Sequence, residues 1–266
     1  MITITEAADA RLDDYRKLND QAFRRRYEAD ACFIAEGFVA VDRLLESGHR
    51  VRSVLLAPSR VDRFAERSAE LSAHGVPIFV AERPVIADVV GFDLHRGVLA
   101  CADRRPSASL DAAIGGVDRA AVLEGLNDAE NVGAIARAAR AFGMGALVLD
   151  PTCTDPYSRR TVRVSMGEVL LLPTARAPST PGAIHALRAA GFETWAMTPD
   201  ADADDLWSLA VPDRIAVVLG AEGPGLRPAT LAAADRRVRI PIAPEVDSLN
   251  VGHAAAITFA ALTPRG

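Results

Sequence analysis

The chain has 266 residues, of which 50% are hydrophobic and 24% are charged, with 19 glycines and 16 prolines. This composition excludes a disordered, collagen-like or low-complexity chain, and the length suits one large domain or two of average size. The net charge of -5 excludes a strongly basic nucleic-acid-binding protein, so any contact with nucleic acid must be local.

The longest apolar stretches, such as 215–221, are far shorter than the ~20 residues of a membrane span. Residues 1–14 carry acidic groups and no apolar signal region, so a cytoplasmic location is expected. Cys32, Cys101 and Cys153 form no C-x-x-C pair, which predicts buried thiols rather than disulfides or a zinc site. The five histidines share no metal-ligand spacing, so no metal is expected.

The first hundred residues alternate helical and extended patterns, which predicts a small α/β unit. Helices are expected at 6–18, 38–48 and 60–73, and strands at 51–57, 77–80 and 97–102. Residues 106–116 are small, polar and glycine-bearing, which is typical of a linker between domains.

The second half of the chain also alternates strands and helices. Strands are expected at 120–126, 146–150, 192–197, 215–220 and 236–242, and helices at 130–142, 157–164, 181–190, 228–234 and from 249 onward. This alternation predicts a mostly parallel sheet with helices on both faces.

Ligands of such sheets bind beyond the carboxyl ends of the strands, so the segments that follow strands are the candidate site. The first of them, NDAENVGAIARAARAFG, places Asn131 at the start of a helix and Arg137 one turn after Gly133 on the same face. Two structural roles remain open, since Asn131 can cap the helix and Arg137 can be a solvated side chain.

The second segment, GAEGPGL at 220–226, contains three glycines that allow the backbone to approach a ligand closely. It is neither the dinucleotide fingerprint nor a P-loop, because the spacing and the Lys-Ser/Thr pair are missing. Glu222 would repel a phosphate, so an amine, a sulfonium or hydroxyl groups suit this loop better. A tight turn with an exposed glutamate is the alternative interpretation.

The third segment, IPIAPEVDSLNVGHAAA at 240–256, offers Ser248 and Asn250 at the junction of a loop and a helix. Polar side chains at such a junction can hold a hydroxyl group or a backbone edge of a ligand. Capping of the helix explains the same residues equally well.

The three motifs N-x-G-x-x-x-R, G-A-E-G-x-G and I-P-…-S-L-N-V occur in this order after successive strands. Together they resemble the signature motifs of the SpoU-type RNA 2′-O-ribose methyltransferases of the SPOUT superfamily. The resemblance covers residues 118–262 and includes Ser-x-Gly within 162–173. The segment FIAEGFVAVDRLLESGHRVRSVLLA is similar to the ribosomal-protein-like domain attached to many members. Gly252 and His253 depart from the family pattern, which leaves the packing of the last helix or the dimer contact open.

The resemblance implies an α/β fold in which residues 1–108 recognise substrate RNA and residues 109–266 form the catalytic domain. The catalytic domain is expected to have a mostly parallel sheet and a C-terminal trefoil knot, and to pair into a homodimer. The implied cofactor is S-adenosylmethionine, and no membrane or metal partner is implied.

Residue by residue, the family's catalytic positions correspond to Asn131, Arg137, Glu222, Ser248 and Asn250. Its cofactor-binding positions correspond to Thr198, Leu219, Gly220, Gly225, Ile240 and Leu249. Because arginine stays protonated in proteins, Arg137 is expected to clamp a phosphate and stabilise the developing alkoxide. The proton acceptor remains open between water, a phosphate oxygen and Glu222.

The implied reaction is methylation of a ribose 2′-hydroxyl in structured RNA, and the front domain favours ribosomal over transfer RNA. Candidate RNA contacts are Arg24, Arg25, Arg26, Arg159, Arg160 and Arg163, although each cluster also fits a solvated surface. Two rival classes remain, namely a non-catalytic RNA-binding protein that retains the fold and a nicotinamide-dependent oxidoreductase. The second lacks a G-x-G-x-x-G motif after a strand.

Overall fold

The computed structural model describes residues 1–28, 31–94 and 97–263. Its strands are β1 (Ile2–Ile4), β2 (Cys32–Glu36), β3 (Val51–Leu56), β4 (Ile78–Ala81), β5 (Val98–Asp103), β6 (Arg119–Glu124), β7 (Ala146–Leu149), β8 (Thr174–Arg176), β9 (Glu193–Met197), β10 (Asp204–Asp205), β11 (Ile215–Gly220) and β12 (Arg236–Arg239). Its α-helices are α1 (Gln21–Glu28), α2 (Phe38–Glu46), α3 (Ala65–Ala73), α4 (Arg83–Val90), α5 (Leu110–Ile114), α6 (Ala129–Ala141), α7 (Arg159–Val164), α8 (Thr180–Ala189), α9 (Pro228–Ala233) and α10 (Val251–Leu262).

The chain divides into two compact units. The N-terminal unit comprises Met1–Pro106 and Tyr157–Leu171, and the C-terminal unit comprises Ser107–Pro156 and Leu172–Gly266. The first boundary lies two residues before the one expected at 108/109. The structure differs in a second respect, because residues 157–171 group with the N-terminal unit and interrupt the segment expected to be continuous.

The C-terminal unit contains a seven-stranded sheet in the order β10-β12-β9-β11-β6-β7-β8. Every strand pairing between these described strands is parallel. The central strands β6 and β11 are apolar and buried along almost their whole length, as expected for strands covered on both faces. The α/β class with a parallel sheet is therefore confirmed.

Helices cover this sheet through apolar stripes. Ile114 of α5 and Ile184 and Leu187 of α8 share one buried cluster with Val122 and Val218 of the central strands. Helix α10 packs against α6 and also contacts β11. Because all strands point the same way, the loops that follow them gather at one edge of the sheet.

The N-terminal unit contains a five-stranded mixed sheet in the order β1-β4-β3-β5-β2. Strand β5 runs antiparallel to both β3 and β2, whereas β4 runs parallel to β1 and β3. Residues 157–171 attach to this unit through ion pairs of Arg159 with Glu36 and of Arg43 with Glu168, the latter at 2.8 Å.

Most of the predicted strands and helices are present within a few residues of their expected bounds, and three expectations were wrong in detail. The helix expected at 6–18 is a 3-10 helix limited to Ala10–Tyr15. The expected linker 106–116 contains α5, which Ser109 caps by accepting a hydrogen bond from the amide of Ala112. The helix expected at 60–73 is regular only from Ala65. Across the described ranges 1–28, 31–94 and 97–263, helices fall short of the length and apolar character that a bilayer span requires.

Candidate functional site

A cavity of about 320 Å³, which we name cavity A, lies at the carboxyl edge of the parallel sheet. Its walls come from the segments that follow β9, β11 and β12 and from the start of α10. All six residues expected at a cofactor site line this cavity: Thr198, Leu219, Gly220, Gly225, Ile240 and Leu249. Glu222, Ser248 and Asn250 line it as well. The second and third motifs therefore meet in one place.

The loop after β11 is tightly folded because of its glycines. The Gly225 amide donates to the Ala221 carbonyl at 3.0 Å, and the same two residues form a short antiparallel bridge. A Cβ atom on Gly220 would lie 2.4 Å from the Gly225 carbonyl carbon, so no side chain fits there. Gly225 also has a φ of +67°, in the left-handed region that favours glycine.

Three side chains, one from each motif, form a hydrogen-bonded chain beside cavity A. Asn250 Nδ2 donates to Asn131 Oδ1 at 3.0 Å, and Asn131 Nδ2 donates to Glu222 Oε2 at 3.2 Å. Asn131, in the middle of this hydrogen-bonded chain, is buried, whereas Glu222 at one end of it is exposed. We name this chain the Asn250–Asn131–Glu222 wall.

The structure also decides between the roles left open for the two asparagines. Helix α6 is capped by Asp128, whose side chain accepts from the Glu130 amide at 3.0 Å, so the capping role considered for Asn131 was wrong. Asn250 does cap α10, since its Oδ1 accepts from the Gly252 and His253 amides. Asn250 thereby fixes the start of α10 and holds Asn131 at the same time.

A second cavity of about 470 Å³, which we name cavity B, is also lined by the loop after β11. It shares Ala221, Glu222 and Gly225 with cavity A, and Asn131 lines it too. Its other charged lining residues are Glu124, Asp128 and Arg227. Glu222 is the ionisable side chain common to the two sets of lining residues.

Buried carboxylates stand at the ends of β6 and β7, where Glu124 lines cavity B and Asp150 pairs with the lining residue Arg227. Glu124 accepts hydrogen bonds from the Arg227 amide at 2.7 Å and from the Thr230 hydroxyl. Asp150 accepts from the amides of Gly125, Thr152 and Cys153 and from the Thr152 hydroxyl.

Burial raises the pKa of Asp150, but these hydrogen bonds outweigh it and hold the pKa below its usual value. The Arg227 guanidinium lies 3.3 Å from Asp150, and the Arg227 side chain is 56% exposed.

Arg137 stands apart from both cavities. It is an exposed residue of α6, six positions after Asn131 and about 9 Å farther along the helix axis. It lines neither cavity and makes no hydrogen bond or ion pair with the residues that the structure describes. Within one copy of the chain, the first motif thus contributes Asn131 to the Asn250–Asn131–Glu222 wall, whereas its Arg137 lies apart from the wall.

The arginines expected to contact RNA fall into different environments in the N-terminal unit. Arg24 is buried, pairs with Glu28 at 2.6 Å and donates to the carbonyls of Asp14 and Arg16. Arg26 is exposed on α1. The side chain of Arg25 lies outside the described part of the structure.

In the segment 157–171, Arg159 is bound to Glu36 and Asn19, and Arg163 lies 3.6 Å from Glu36. Arg160 is exposed. Arg24 and Arg159 therefore stabilise the N-terminal unit itself, whereas Arg26 and Arg160 are exposed members of the two arginine clusters.

One cluster in the N-terminal unit carries atoms that can bind a metal. The ligand atoms of Asp14, Cys32 and Cys101 lie within 4.8 Å of one another. The Arg52 guanidinium is 3.5 Å from Asp14 and already supplies a positive charge there. Both cysteines are free and buried, which matches the expectation of core thiols.

Glu124, Asp128 and Arg227 belong to no motif that the sequence indicated as a site. Glu124 was included in an apolar strand, although a carboxylate at the last position of a buried parallel strand is itself a signal. Asp128 offered a helix-capping pattern, and Arg227 followed the glycine-rich motif directly. Their common cavity depends on the tertiary fold.

Comparison with known proteins identifies relatives over nearly the whole chain. Residues 118–260 match the model of the SpoU rRNA Methylase family. An uncharacterized tRNA/rRNA methyltransferase of Mycobacterium tuberculosis is 43% identical over 270 residues, which cover 99% of this chain and 92% of that protein. The 23S rRNA (guanosine-2′-O-)-methyltransferase RlmB of Ralstonia nicotianae is 30% identical, covering 83% of this chain and 91% of that protein.

The fold has matching solved structures. An AdoMet-bound rRNA methyltransferase from Sinorhizobium meliloti superimposes with a TM-score of 0.82 at 28% identity, over 98% of this chain and 96% of that chain. Fold, cavities and relatives define the class of an S-adenosylmethionine-dependent RNA methyltransferase. The chain belongs to the SpoU rRNA methylase family.

S-adenosylmethionine is the cofactor, and cavity A fits it. Its volume lies within the roughly 300–1,000 Å³ of small-molecule sites, and apolar side chains of Leu219, Ile240 and Leu249 offer surfaces for the adenine ring. The missing side chain of Gly220 leaves the backbone open to close approach. Thr198 and Ser248 add hydroxyl groups to the lining of this cavity.

Proposed function

We propose that this protein transfers a methyl group to the 2′-hydroxyl of a ribose in ribosomal RNA. The observation that carries the proposal is the Asn250–Asn131–Glu222 wall, whose carboxylate lines both cavity A and cavity B. The relationship to RlmB, whose name gives a guanosine 2′-O reaction on 23S rRNA, supports both the atom and the RNA class. Such a substrate also places the protein in the cytoplasm.

Bound S-adenosylmethionine supplies a methyl group on a positively charged sulfur atom. The chain has to orient the 2′-hydroxyl toward that methyl group and take up its proton. Glu222 can accept this proton, because it lines both cavities and Asn131 holds one of its two carboxylate oxygens. A positioned carboxylate of this kind contributes about 100-fold to 10,000-fold in rate. This assigns the proton acceptor, which the sequence left open, to Glu222.

Arg137 completes the site from a second copy of the chain in this proposal. A homodimer is supported by the exposure of Arg137 on α6 and by its absence from both cavities of its own copy. Apart from Thr258, the neighbouring helix α10 carries only apolar side chains after His253, and it is only partly covered at Ala256, Ile257 and Ala261. Arg137 then clamps a phosphate of the target nucleotide through its guanidinium fork.

The proposal includes the trefoil knot that the resemblance implies. Strand β12 lies beyond β9, while α10 packs on α6. The connecting segment therefore crosses the carboxyl ends of β9 and β11, where it lines cavity A with Ile240, Ser248 and Leu249. This crossing is the path that a C-terminal knot requires.

RNA contacts are assigned to Arg26, Arg160 and Arg163 of the N-terminal unit. Each charge that contacts a phosphate steepens the salt dependence of RNA affinity. Replacing Arg26 and Arg160 together is expected to flatten that dependence, and an unchanged slope overturns the assignment.

The test of the reaction uses ribosomal RNA that lacks modifications. The full-length protein is incubated with this RNA and S-adenosylmethionine labelled in its methyl group, and the RNA is digested to nucleosides for mass spectrometry. The label is expected on the ribose of one nucleoside. Label on a base, or transfer to transfer RNA alone, overturns the proposal.

A further inference from the structure

Cavity B is a mixed-charge pocket rather than a phosphate site. The carboxylates of Glu124, Asp128 and Glu222 line it against one guanidinium, that of Arg227. Arg227 is already paired with Asp150 at 3.3 Å, so its charge is partly balanced. A phosphate placed here would face more negative than positive groups. The lining instead favours an uncharged ligand with several N–H or O–H donors and an acceptor for Arg227.

The proposed reaction limits what such a ligand can be, and this step rests on the proposed function. If the ribose 2′-hydroxyl lies at Glu222, its base is attached to the neighbouring ribose carbon and must lie within one nucleoside length of the wall. Cavity A fits the cofactor, and cavity B is the second cavity that Glu222 also lines. The base of the target nucleotide therefore occupies cavity B.

The arrangement of polar groups selects among the four bases. Asp128 uses Oδ1 to cap α6, and its Oδ2 accepts no hydrogen bond from the described residues. A carboxylate pairs best with two adjacent donors. On the Watson–Crick edge, guanine alone offers two adjacent donors, N1–H and the N2 amino group. Adenine and cytosine offer one amino group beside an acceptor, and uracil offers one imino group between carbonyls.

Arg227 supplies the complementary donors. Its guanidinium is suited to the O6 and N7 acceptors of guanine, which is the commonest specific arginine contact with a base. Glu124 holds the Arg227 amide at 2.7 Å and so fixes where this side chain starts. We propose that cavity B binds the guanine base of the methylated nucleotide, with Asp128 on its N1–H and amino edge and Arg227 on O6 and N7.

Asp128→Asn is the sharpest variant for a test, because asparagine caps a helix as well as aspartate does and leaves α6 intact. The affinities of guanosine, inosine and adenosine are measured by calorimetry on the full chain saturated with S-adenosylhomocysteine. Guanosine is expected to bind about tenfold more tightly than inosine, which lacks the amino group, and than adenosine. Asp128→Asn is expected to remove this preference, and Arg227→Gln to weaken guanosine and inosine alike.

Asp111→Asn is the matched control, because Asp111 is an exposed first-turn residue of α5 that lines neither cavity. It should retain the preference for guanosine. Equal affinities of guanosine and adenosine, or an unchanged preference in Asp128→Asn, overturn the inference.

Analysis of the methylated nucleoside separates this inference from the proposed function. Recovery of 2′-O-methylguanosine supports both the ribose reaction and the assignment of guanine to cavity B. A 2′-O-methyl group on another nucleoside overturns the guanine assignment and leaves the ribose reaction standing. Label on a base overturns the ribose reaction, and the nucleoside affinities then decide for or against the pocket independently.

Discussion

Glu222 is the residue on which the proposed chemistry depends most. Its carboxylate lines both cavities, and Asn131 holds one oxygen at 3.2 Å. Glu222→Gln keeps the size and the polar atoms of this side chain but removes its basicity. We expect methyl transfer at saturating cofactor to fall by about 100-fold or more, with cofactor affinity within threefold of the unmodified protein. Single-turnover kinetics measure both quantities.

Glu245→Gln provides the control, because Glu245 is an exposed residue within the third motif that lines neither cavity. Its rate should match that of the unmodified protein. Full activity of the Glu222→Gln protein would contradict this role of Glu222. The proton acceptor would then be water or a phosphate of the RNA.

The lowered pKa of Asp150 predicts that the free energy of unfolding depends on pH. Its pKa is held below its usual value by hydrogen bonds from Thr152, Gly125 and Cys153, against the opposing effect of burial. The stabilisation is therefore complete above the unfolded pKa of about 3.9 and is lost as the pH falls through the folded pKa. Asp150→Asn should lower the free energy of unfolding at pH 7 by about 1–3 kcal/mol.

The stability difference between Asp150→Asn and the unmodified protein should shrink below pH ~4, which denaturant unfolding at several pH values measures. Asp118→Asn is the control, because the Asp118 side chain is 75% exposed. A difference that stays constant from pH 7 to pH 3 would contradict the assignment of this carboxylate.

At the level of single residues, motif spacing predicted the members of the wall, because their positions depend on the ends of neighbouring strands. Arg24 shows where prediction from the sequence fails. In the sequence it belongs to a run of three arginines, which favours an exposed basic patch. In the fold it is buried against Glu28 and two backbone carbonyls. Which arginine of a run turns inward depends on packing that local sequence does not determine.

Among the elements of the fold, the loop after β11 depends most directly on sequence. A Cβ on Gly220 would lie 2.4 Å from the backbone nitrogen of Leu226, and backbone cannot move aside as a side chain can. We expect Gly220→Ala to weaken S-adenosylmethionine binding by about tenfold or more and to destabilise the protein by roughly 1–3 kcal/mol. Calorimetry and thermal unfolding measure these effects.

Gly115→Ala is the control for that substitution. Gly115 has a negative φ of -62°, and an added Cβ would come no closer than 3.2 Å to other atoms. It should bind the cofactor normally. Unchanged cofactor affinity in Gly220→Ala would mean that this loop does not form the cofactor site.

Long apolar strands were predictable and short elements were not. Strands β6 and β11 stand out because each is a continuous buried apolar run. Strands β1 and β8 have three residues each, too few to show a period. Helix α5 was missed because its small residues resemble a linker, although Ser109 carried the capping signal.

Helix α10 explains a departure of this sequence from its family. Gly252 lies where a Cβ would come within 3.3 Å of Ala134 on α6, tighter than ordinary packing. The glycine therefore lets α10 approach α6 closely beside Asn250 and Asn131. The neighbouring His253 is exposed and leaves this contact unaffected.

For the whole molecule, the segment 157–171 shows why domain boundaries are difficult to infer. It lies between two segments of the C-terminal unit in sequence, yet it joins the N-terminal unit through the Arg159–Glu36 and Arg43–Glu168 ion pairs. The partners are more than 120 positions apart in the chain. Glu124 and Arg227 of cavity B were missed for the same reason, since tertiary folding alone brings them together.

The proposed dimer makes a prediction about mixed copies. Arg137→Ala and Glu222→Gln proteins should each be nearly inactive, but heterodimers from co-expression contain one site with both residues intact. Once separated from the two homodimers, these heterodimers should show about half of the unmodified activity, because one of their two sites is intact. Co-purification through two different tags followed by a methylation assay measures this. Activity no higher than that of the parents would place Arg137 in its own copy's site.

The central claim is that Asn131 acts through Glu222 at the boundary between the two cavities. Single-turnover methylation rates of Asn131→Ala, Glu222→Gln and the double variant test it most directly. We predict that Asn131→Ala slows an otherwise unmodified protein by about tenfold or more and has almost no further effect when Glu222 is already glutamine. An equal loss from Asn131→Ala in both backgrounds would contradict the account.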